Sequence, residues 1–432
     1  VTGPATDADD ILDIVGVGFG PSNLALAVAV REHNADRPAA EHLTQVYFEK
    51  QPAFGWHRGM LIDGATMQVS FIKDLVTMRN PASEYGFLSY LHDNDRLADF
   101  INHKSLFPSR VEFHDYLEWV ARRFQDVARY GSEVVAMRPG PGGDHIEVIV
   151  RRGGEHRVQR ARNVVVAVGQ EPALPDDIEL GDRIWHCAQL LERVERLTEE
   201  PRRAVVVGAG QSAAETTEFL HRRFENAEVS AIFLRYGYSV ADDTPFANRI
   251  FDPESVDVFY GAPENVKRML FDYHRNTNYS VVDQELADEL YRRVYQERVR
   301  GVERLRILNA SRLHAVRRDV TGDGLRVDVE HLPTGEKRSF GVDLVVYATG
   351  YRPIDPANVL GEVAEYCRRD AGKRPAITRD YRLETDDRLR AGIYLQGGTE
   401  QTHGISAQLL SNTAVRAGEI VRSIAGARVG AV

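Results

Sequence analysis

Two glycine-bearing loops in this 432-residue chain carry the residue types a phosphate needs. The first, DIVGVGFGPSN, holds Gly16, Gly18 and Gly20, with Pro21 next; the second, AVVVGAGQSAAE, holds Gly208, Gly210 and Ala213. Glycine keeps the backbone bare, so a pyrophosphate can reach the free N–H groups of a helix N-terminus, where the helix dipole favours an anion. Each loop follows an apolar run that reads as a buried parallel strand and opens an Ala-rich run that reads as a helix. Two such units in one chain suggest two dinucleotides, normally a flavin and a nicotinamide, placed so that hydride passes between them.

Other residues refine that chemistry. Glu49 ends the run TQVYFEK, where an acid bonds ribose hydroxyls, although its spacing from Gly16 exceeds the roughly 20 residues of a simple NAD fingerprint. Pro21 takes the place of a third glycine and fits the first helical turn, where its missing N–H removes no bond. Arg235 ends the strand after the second loop, where an NAD enzyme would carry an acid; a cation there favours the 2′-phosphate of NADPH. Gln211 and Ser212 can bond phosphate or nicotinamide groups. Lysine is rare, with six among the 54 basic residues, so Lys73, set among Phe71, Ile72, Leu75 and Val76, stands out. A half-buried lysine needs an anion or a path to water, and a substrate carboxylate is one such anion. Asn248 and Asn278 are either turn residues or neutral amides that bond a substrate without fixing its charge. Trp56 and His57 either pack on a flavin or belong to the core.

The elements that position these groups follow from periodicity. Strands are expected at 11–18, 44–50, 133–138, 145–151, 163–168, 203–208, 228–234, 304–308, 325–331 and 343–348, with a helix at 20–33 and an amphipathic helix at 110–128. Residues 54–82 lack clean periodicity and read as a ligand-lining loop region. Residues 249–300 read as mostly helical, and SAQLLSNTAVRAGEIVRSIAG as the last helix. Short turns are expected at 152–160 and 319–324. The fold class is α/β, with two Rossmann-like dinucleotide-binding domains, the second inserted into the first. The first comprises 1–198 and 341–432; the second is 199–340 and includes a helical substrate-binding region at 242–300.

Composition bounds the rest. A formal charge of −10 argues against nucleic acid. No 18-residue apolar run spans a membrane. VTGPATDADD reads as a loose arm rather than a targeting segment, and two distant cysteines suit a reducing cytoplasm. Cys187 and Cys367 are too far apart in sequence for the redox pair of a disulfide reductase, and they form no metal cluster. LGDRIWHCAQL is only loosely similar to the FxGxxxHxxxW signature of Baeyer–Villiger and related monooxygenases: Gly181 and His186 are one residue too far apart and no Trp follows.

Taken together, VGVGFGPSNLALA, FEKQPAFGWHRGM, MQVSFIKDLVTMRNP, VVVGAGQSAAE, DDTPFANRIFDPE, NTNYSVVD, ATGYRP and THGISAQLLS resemble the microbial N-hydroxylating flavin monooxygenases that act on L-ornithine or L-lysine. The resemblance runs from residue 14 to 411. It implies FAD held by the first loop, Glu49, Lys50, Trp56, His57, Gln68, Gln408, Leu409 and Leu410. It implies NADPH held by Ala209, Gly210, Gln211, Ser212, Arg235, Asn278, Tyr279 and Ser280. It implies that Lys73 meets the substrate carboxylate, with Asn248, Asn278 and Ser411 around the rest of the amino acid. The implied reaction takes dioxygen to hydroxylate the side-chain amine of L-ornithine through a flavin hydroperoxide, for siderophore or related peptide biosynthesis, with L-lysine as the alternative substrate. The implied assembly is a homotetramer. The family often has HGLSDTLLS where this chain has HGISAQLLS, so Ala407 and Gln408 depart from the pattern.

Overall fold

The computed structural model describes residues 10–319, 324–370, 372 and 374–429. The expected N-terminal arm and the inner residues of the turn at 319–324 lie outside them. Two sheets organise the chain, the first mixed and the second all parallel. The first has seven strands. Ile11–Val17 lies at its centre, between Gln45–Glu49 and the long strand Glu155–Val166. Glu133–Pro139 and Ile146–Arg152 extend it antiparallel on one side, and Gly392–Leu395 joins Glu155–Val166 in parallel. The second sheet has five strands, in the order Leu305–Leu308, Glu228–Ile232, Arg203–Val207, Leu344–Tyr347, Ile184–His186, all parallel.

The return of Gly392–Leu395 to the first sheet shows that the second unit interrupts the first. Both expected junctions nevertheless move. Ile184–His186 and Leu344–Tyr347 pair within the second sheet, so 198/199 and 340/341 do not separate the two units. Met60 and Ile62 also pack in the core beneath the second sheet. The chain crosses between the units at Gln170–Pro172 and Tyr351–Pro353, which pair with each other antiparallel.

Several local expectations change. The helix at Arg110–Ala121 stops before 128, and Ala128–Tyr130 is an edge strand beside Gln45–Glu49. The turn expected at 152–160 shrinks to Gly153 and Gly154, both at positive φ, because Glu155 already starts a strand. An antiparallel sheet of Ser311–Arg318, Leu325–His331 and Glu336–Val342 was legible only at its middle strand. Its outer strands, SRLHAVRR and EKRSFGV, carry many basic residues, and they alternate too weakly to signal a buried face.

The helix Pro21–Ala35 is buried from Asn23 to Val30. It shows no amphipathic stripe because it is enclosed on all sides. Ala25, Ala27 and Ala29 let it approach its neighbours closely; it packs against Thr413–Val429 and Arg110–Ala121. That packing fixes the helix N-terminus at the first glycine loop.

Candidate active site

A cleft of about 2340 Å³ is lined from both sheets. Every expected site residue except Gly16 lines it. The glycines divide by role. A Cβ on Gly16 would lie 2.1 Å from the Tyr47 ring, so this glycine serves close packing behind the loop. Gly18 has φ +83°, and a Cβ there would meet the Ala167 carbonyl at 2.5 Å. Gly20, at the helix N-cap, faces open space with nothing within 4 Å of a Cβ. The expected outcome is a contrast. Gly16→Ala should cost about 1–3 kcal/mol of overpacking strain and so lower the thermal midpoint. Gly20→Ala should fold normally and retain less FAD on gel filtration. Equal midpoints for the two variants would contradict this division.

Glu49 is buried at the end of its strand. Its carboxylate accepts from the Phe19 N–H (2.8 Å) and the Gln51 N–H (2.8 Å), which fixes its orientation and leaves lone pairs for hydroxyl donors. Asn23, in the GPSN stretch, went unassigned from sequence. Its amide donates to the Gly18 carbonyl (2.7 Å) and accepts from Gln396 (3.0 Å), so it ties the first loop to the returning C-terminal strand. Lys50 is exposed at the cleft, as is Gln68. His57 has φ +50° and its ring meets Trp56 and Tyr351 edge-on. It opens onto the cleft yet sits deep in it; the protein mass around it, then Arg110 and His114, lowers its pKa to about 4.

The last helix starts at Thr413 rather than in SAQLL, so Gln408, Leu410 and Ser411 lie on two 3-10 turns before it, with Leu409 extended between them. Gln408 Nε2 is buried without a hydrogen-bond partner and lines the cleft, a donor shaped for a ligand acceptor. Ala407 is buried, and its carbonyl accepts from Arg416 at 2.9 Å. The departure at 407 therefore leaves a backbone anchor in place. The bare N-cap at Gly20, the oriented Glu49 and the free Gln408 donor fit FAD.

On the opposite side, Gly208 has φ +141°, with the Ala348 carbonyl 2.2 Å from where a Cβ would be. Gly210 caps the helix Gln211–Arg223 and, with Ala209 and Ser212, faces the cleft. The Gln211 side chain is not free for phosphate. It donates to Glu215 (3.0 Å) and Asp283 (2.5 Å) and accepts from the Asp283 N–H (2.8 Å). Glu215 in turn forms a two-pronged pair with Arg110 (2.6 and 2.8 Å), both side chains nearly buried. Arg110 and Glu215 were missed in sequence because 105 residues separate them. Arg235 lines the cleft three residues past the end of its strand, Glu228–Ile232.

Lys73 is half-buried, with Nζ 5.7 Å from the Phe251 ring centre and no ion pair among the described residues. Burial lowers its pKa, and the Asp252 charge raises it. Its neighbour Ile72 is exposed, while Leu75 and Val76 are buried. Asn248 donates to the Asp243 carbonyl (2.7 Å), which leaves its Oδ1 to accept. The Asn278 side chain has no partner among the described residues and faces the cleft. Tyr279 donates its hydroxyl to Glu400; burial, then that carboxylate, raises the phenol pKa far above its ordinary value. Ser280 holds φ +56° and is exposed, and Ser411 is buried at the cleft wall.

His186 resolves as a staple between the crossings. Its Nδ1 accepts from the Ala188 N–H (3.1 Å) and its Nε2 donates to the Gly350 carbonyl (3.1 Å), as a neutral ring whose pKa burial lowers. Cys187 is fully buried, with its thiol pushed up to about 12, so it is inert. Among the described residues no group of His, Cys, Asp and Glu is arranged to hold a metal, and no helix is long and apolar enough to cross a membrane.

Comparison with known proteins agrees with this geometry. Residues 10–353 match the family described as L-lysine 6-monooxygenase/L-ornithine 5-monooxygenase. An L-ornithine N(5)-monooxygenase of Burkholderia cepacia is 42% identical, over 97% of this chain and 96% of its own length. The Kutzneria sp. 744 ornithine N-hydroxylase, solved with reduced FAD, NADP+ and L-ornithine, superposes with a TM-score of 0.91 at 48% identity, over 96% of this chain and 99% of that one. The L-lysine 6-monooxygenase of Pseudomonas syringae superposes at 0.84 with 31% identity, over 96% and 99%. With both nucleotide units facing one cleft and the match running through most of its length, this chain belongs to the L-lysine 6-monooxygenase/L-ornithine 5-monooxygenase family.

Proposed function

We propose that this protein hydroxylates the side-chain amine of L-ornithine, using NADPH and dioxygen, with FAD as its resident flavin. The observation that carries the reading is convergence: Lys73, Asn248, Asn278 and Ser411 come from four separate segments and line the cleft shared by both glycine loops. Bound FAD would relay two electrons from NADPH to dioxygen, so that one oxygen atom of dioxygen goes to the amine and the other leaves as water. The protein does the rest by placement. Lys73 takes the substrate carboxylate, Asn248 Oδ1 and the Asn278 amide hold the amino-acid backbone and the nicotinamide side, and Ser411 borders the amine. NADP+ held by the second glycine loop would occupy the cleft and exclude water from the reacting centre. L-ornithine is preferred to L-lysine because the 48% and 42% identical relatives are ornithine enzymes, whereas the lysine enzyme is 31% identical. Cytoplasmic location, homotetramer assembly and a role in siderophore or related peptide biosynthesis belong to the same proposal, and rest on the resemblance and the cysteine usage.

The attacking amine must be neutral, and a free amine of this kind has a pKa of about 10.4. Neutral amides and apolar walls desolvate it and favour the uncharged form. The fraction of turnover that ends as hydroxylamine should therefore rise between about pH 6 and 9, with hydrogen peroxide making up the balance at the acid end. The experiment measures NADPH loss, hydroxylamine and peroxide side by side with ornithine, lysine and diaminobutyrate. Ornithine should give the highest coupled product. Efficient coupling with lysine would reverse the substrate assignment, and a flat coupling ratio across pH would remove amine deprotonation from control.

A further inference from the structure

The end of the cleft beyond Arg235 contains a second arginine from a different element. The turn Asn309–Ala310 binds the backbone that carries Arg235. The Ala310 N–H donates to the Arg235 carbonyl (2.7 Å), the Ser311 N–H to the Phe233 carbonyl (2.9 Å), and the Asn309 amide to the Tyr236 carbonyl (2.6 Å). The strand Ser311–Arg318 starts from this clamp, so Arg312 follows it by one residue. Arg235 and Arg312 both line the cleft. Neither makes an ion pair among the described residues. The acid nearest in register to Arg312 is Glu330, its cross-strand partner, and that carboxylate is paired with His314. Lys337 faces Glu330 from the next strand, and Asp177 is among the acids that line the cleft. The local balance is cationic within a chain of net charge −10.

We propose that Arg312 is a second reader of the 2′-phosphate of NADPH, acting with Arg235 from the adjacent strand. The inference rests on the NADPH reading above and deepens it. A phosphomonoester has three terminal oxygens and two charges to satisfy, and planar guanidiniums bind such a group in forked pairs. Two arginines held by one backbone clamp reach it from two directions, and the hydrogen bonds at Phe233, Arg235 and Tyr236 fix their relative placement. Because Arg312 is exposed, its replacement disturbs no core.

The test is calorimetric titration of the FAD-loaded enzyme with 2′,5′-ADP and with 5′-ADP, which differ only in the 2′-phosphate. Arg312→Ala should weaken 2′,5′-ADP roughly tenfold, as for loss of one charge-assisted contact, and leave 5′-ADP unchanged. Arg312→Lys should restore part of the loss, and the affinity of the unaltered enzyme for 2′,5′-ADP should depend more steeply on salt than that of Arg312→Ala. No loss in Arg312→Ala, or equal losses for both nucleotides, overturns the inference while Arg235→Ala still tests the cofactor reading. If the unaltered enzyme binds both nucleotides alike, the NADPH reading fails and this inference falls with it.

Discussion

Lys73→Ala is expected to raise the KM for L-ornithine by roughly 30- to 150-fold, as for loss of a hydrogen bond to a charged group worth about 2–3 kcal/mol. The structure gives the reason. Lys73 Nζ is half-buried beside Phe251 and makes no ion pair among the described residues, so its strongest partner is left for a ligand to supply. FAD content should not change, since Lys73 contributes nothing to either glycine loop. NADPH oxidation without ornithine should also be preserved. Lys73→Arg should recover part of the affinity, because it restores the charge with a different reach. The measurement is steady-state hydroxylamine formation against ornithine concentration, with flavin content read from absorbance. A KM within twofold of the unaltered enzyme would take Lys73 out of the substrate site.

Arg110→Ala is expected to be the most destabilising single change considered, costing about 3–5 kcal/mol. Its guanidinium joins the two units of the fold. It donates to both Glu215 carboxylate oxygens and to the Met60 carbonyl (2.8 Å), with both side chains of the pair nearly buried. Glu215 connects onward through Gln211 to Asp283, which caps the helix Gln284–Val299 by accepting from the Leu286 N–H (2.8 Å). Removing the arginine alone leaves a carboxylate away from water with only the Gln211 amide as a donor. Removing both charges should cost less than the two single losses added together, because no unpaired ion remains. Thermal midpoints of Arg110→Met, Glu215→Leu and the double variant, each as FAD-loaded protein, measure the coupling. Additive losses would mean that the pair is solvated and carries no link between the units. Because the same network orients Gln211 at the N-terminus of the second nucleotide helix, the single variants should also bind NADPH more weakly.

Much of the site is a local property of the chain. The glycine loops, Glu49 and Arg235 stand out as candidates because each expected role depends on backbone freedom or charge at a fixed place in a strand–turn–helix unit, and the fold brings them to one cleft. Lys73 is readable because its charge conflicts with its neighbours. The division of labour among the glycines is not: Gly16 packs against Tyr47 while Gly20 opens to the cleft, and only the fold distinguishes them. The same limit applies to Gln211, whose side chain looks suited to phosphate but is bound by Glu215 and Asp283.

The sequence by itself determined the fold class and the nesting of one nucleotide unit in the other, since repeated motifs and periodic apolar runs act over a few neighbouring residues; the reaction chemistry came from the family resemblance that its motifs carry. Tertiary structure alone decided the rest. Strand pairing moved Ile184–His186 and Leu344–Tyr347 into the second sheet, and a long-range ion pair made Arg110 part of the second nucleotide site. It turned Gln408, Leu410 and Ser411 from helix into 3-10 turns at the cleft wall, and it placed Arg312 beside Arg235. The physical reason is common to all four. Each depends on contacts between residues far apart in the chain, and neither local propensity nor the period of a hydrophobic run encodes which distant surface an element will meet.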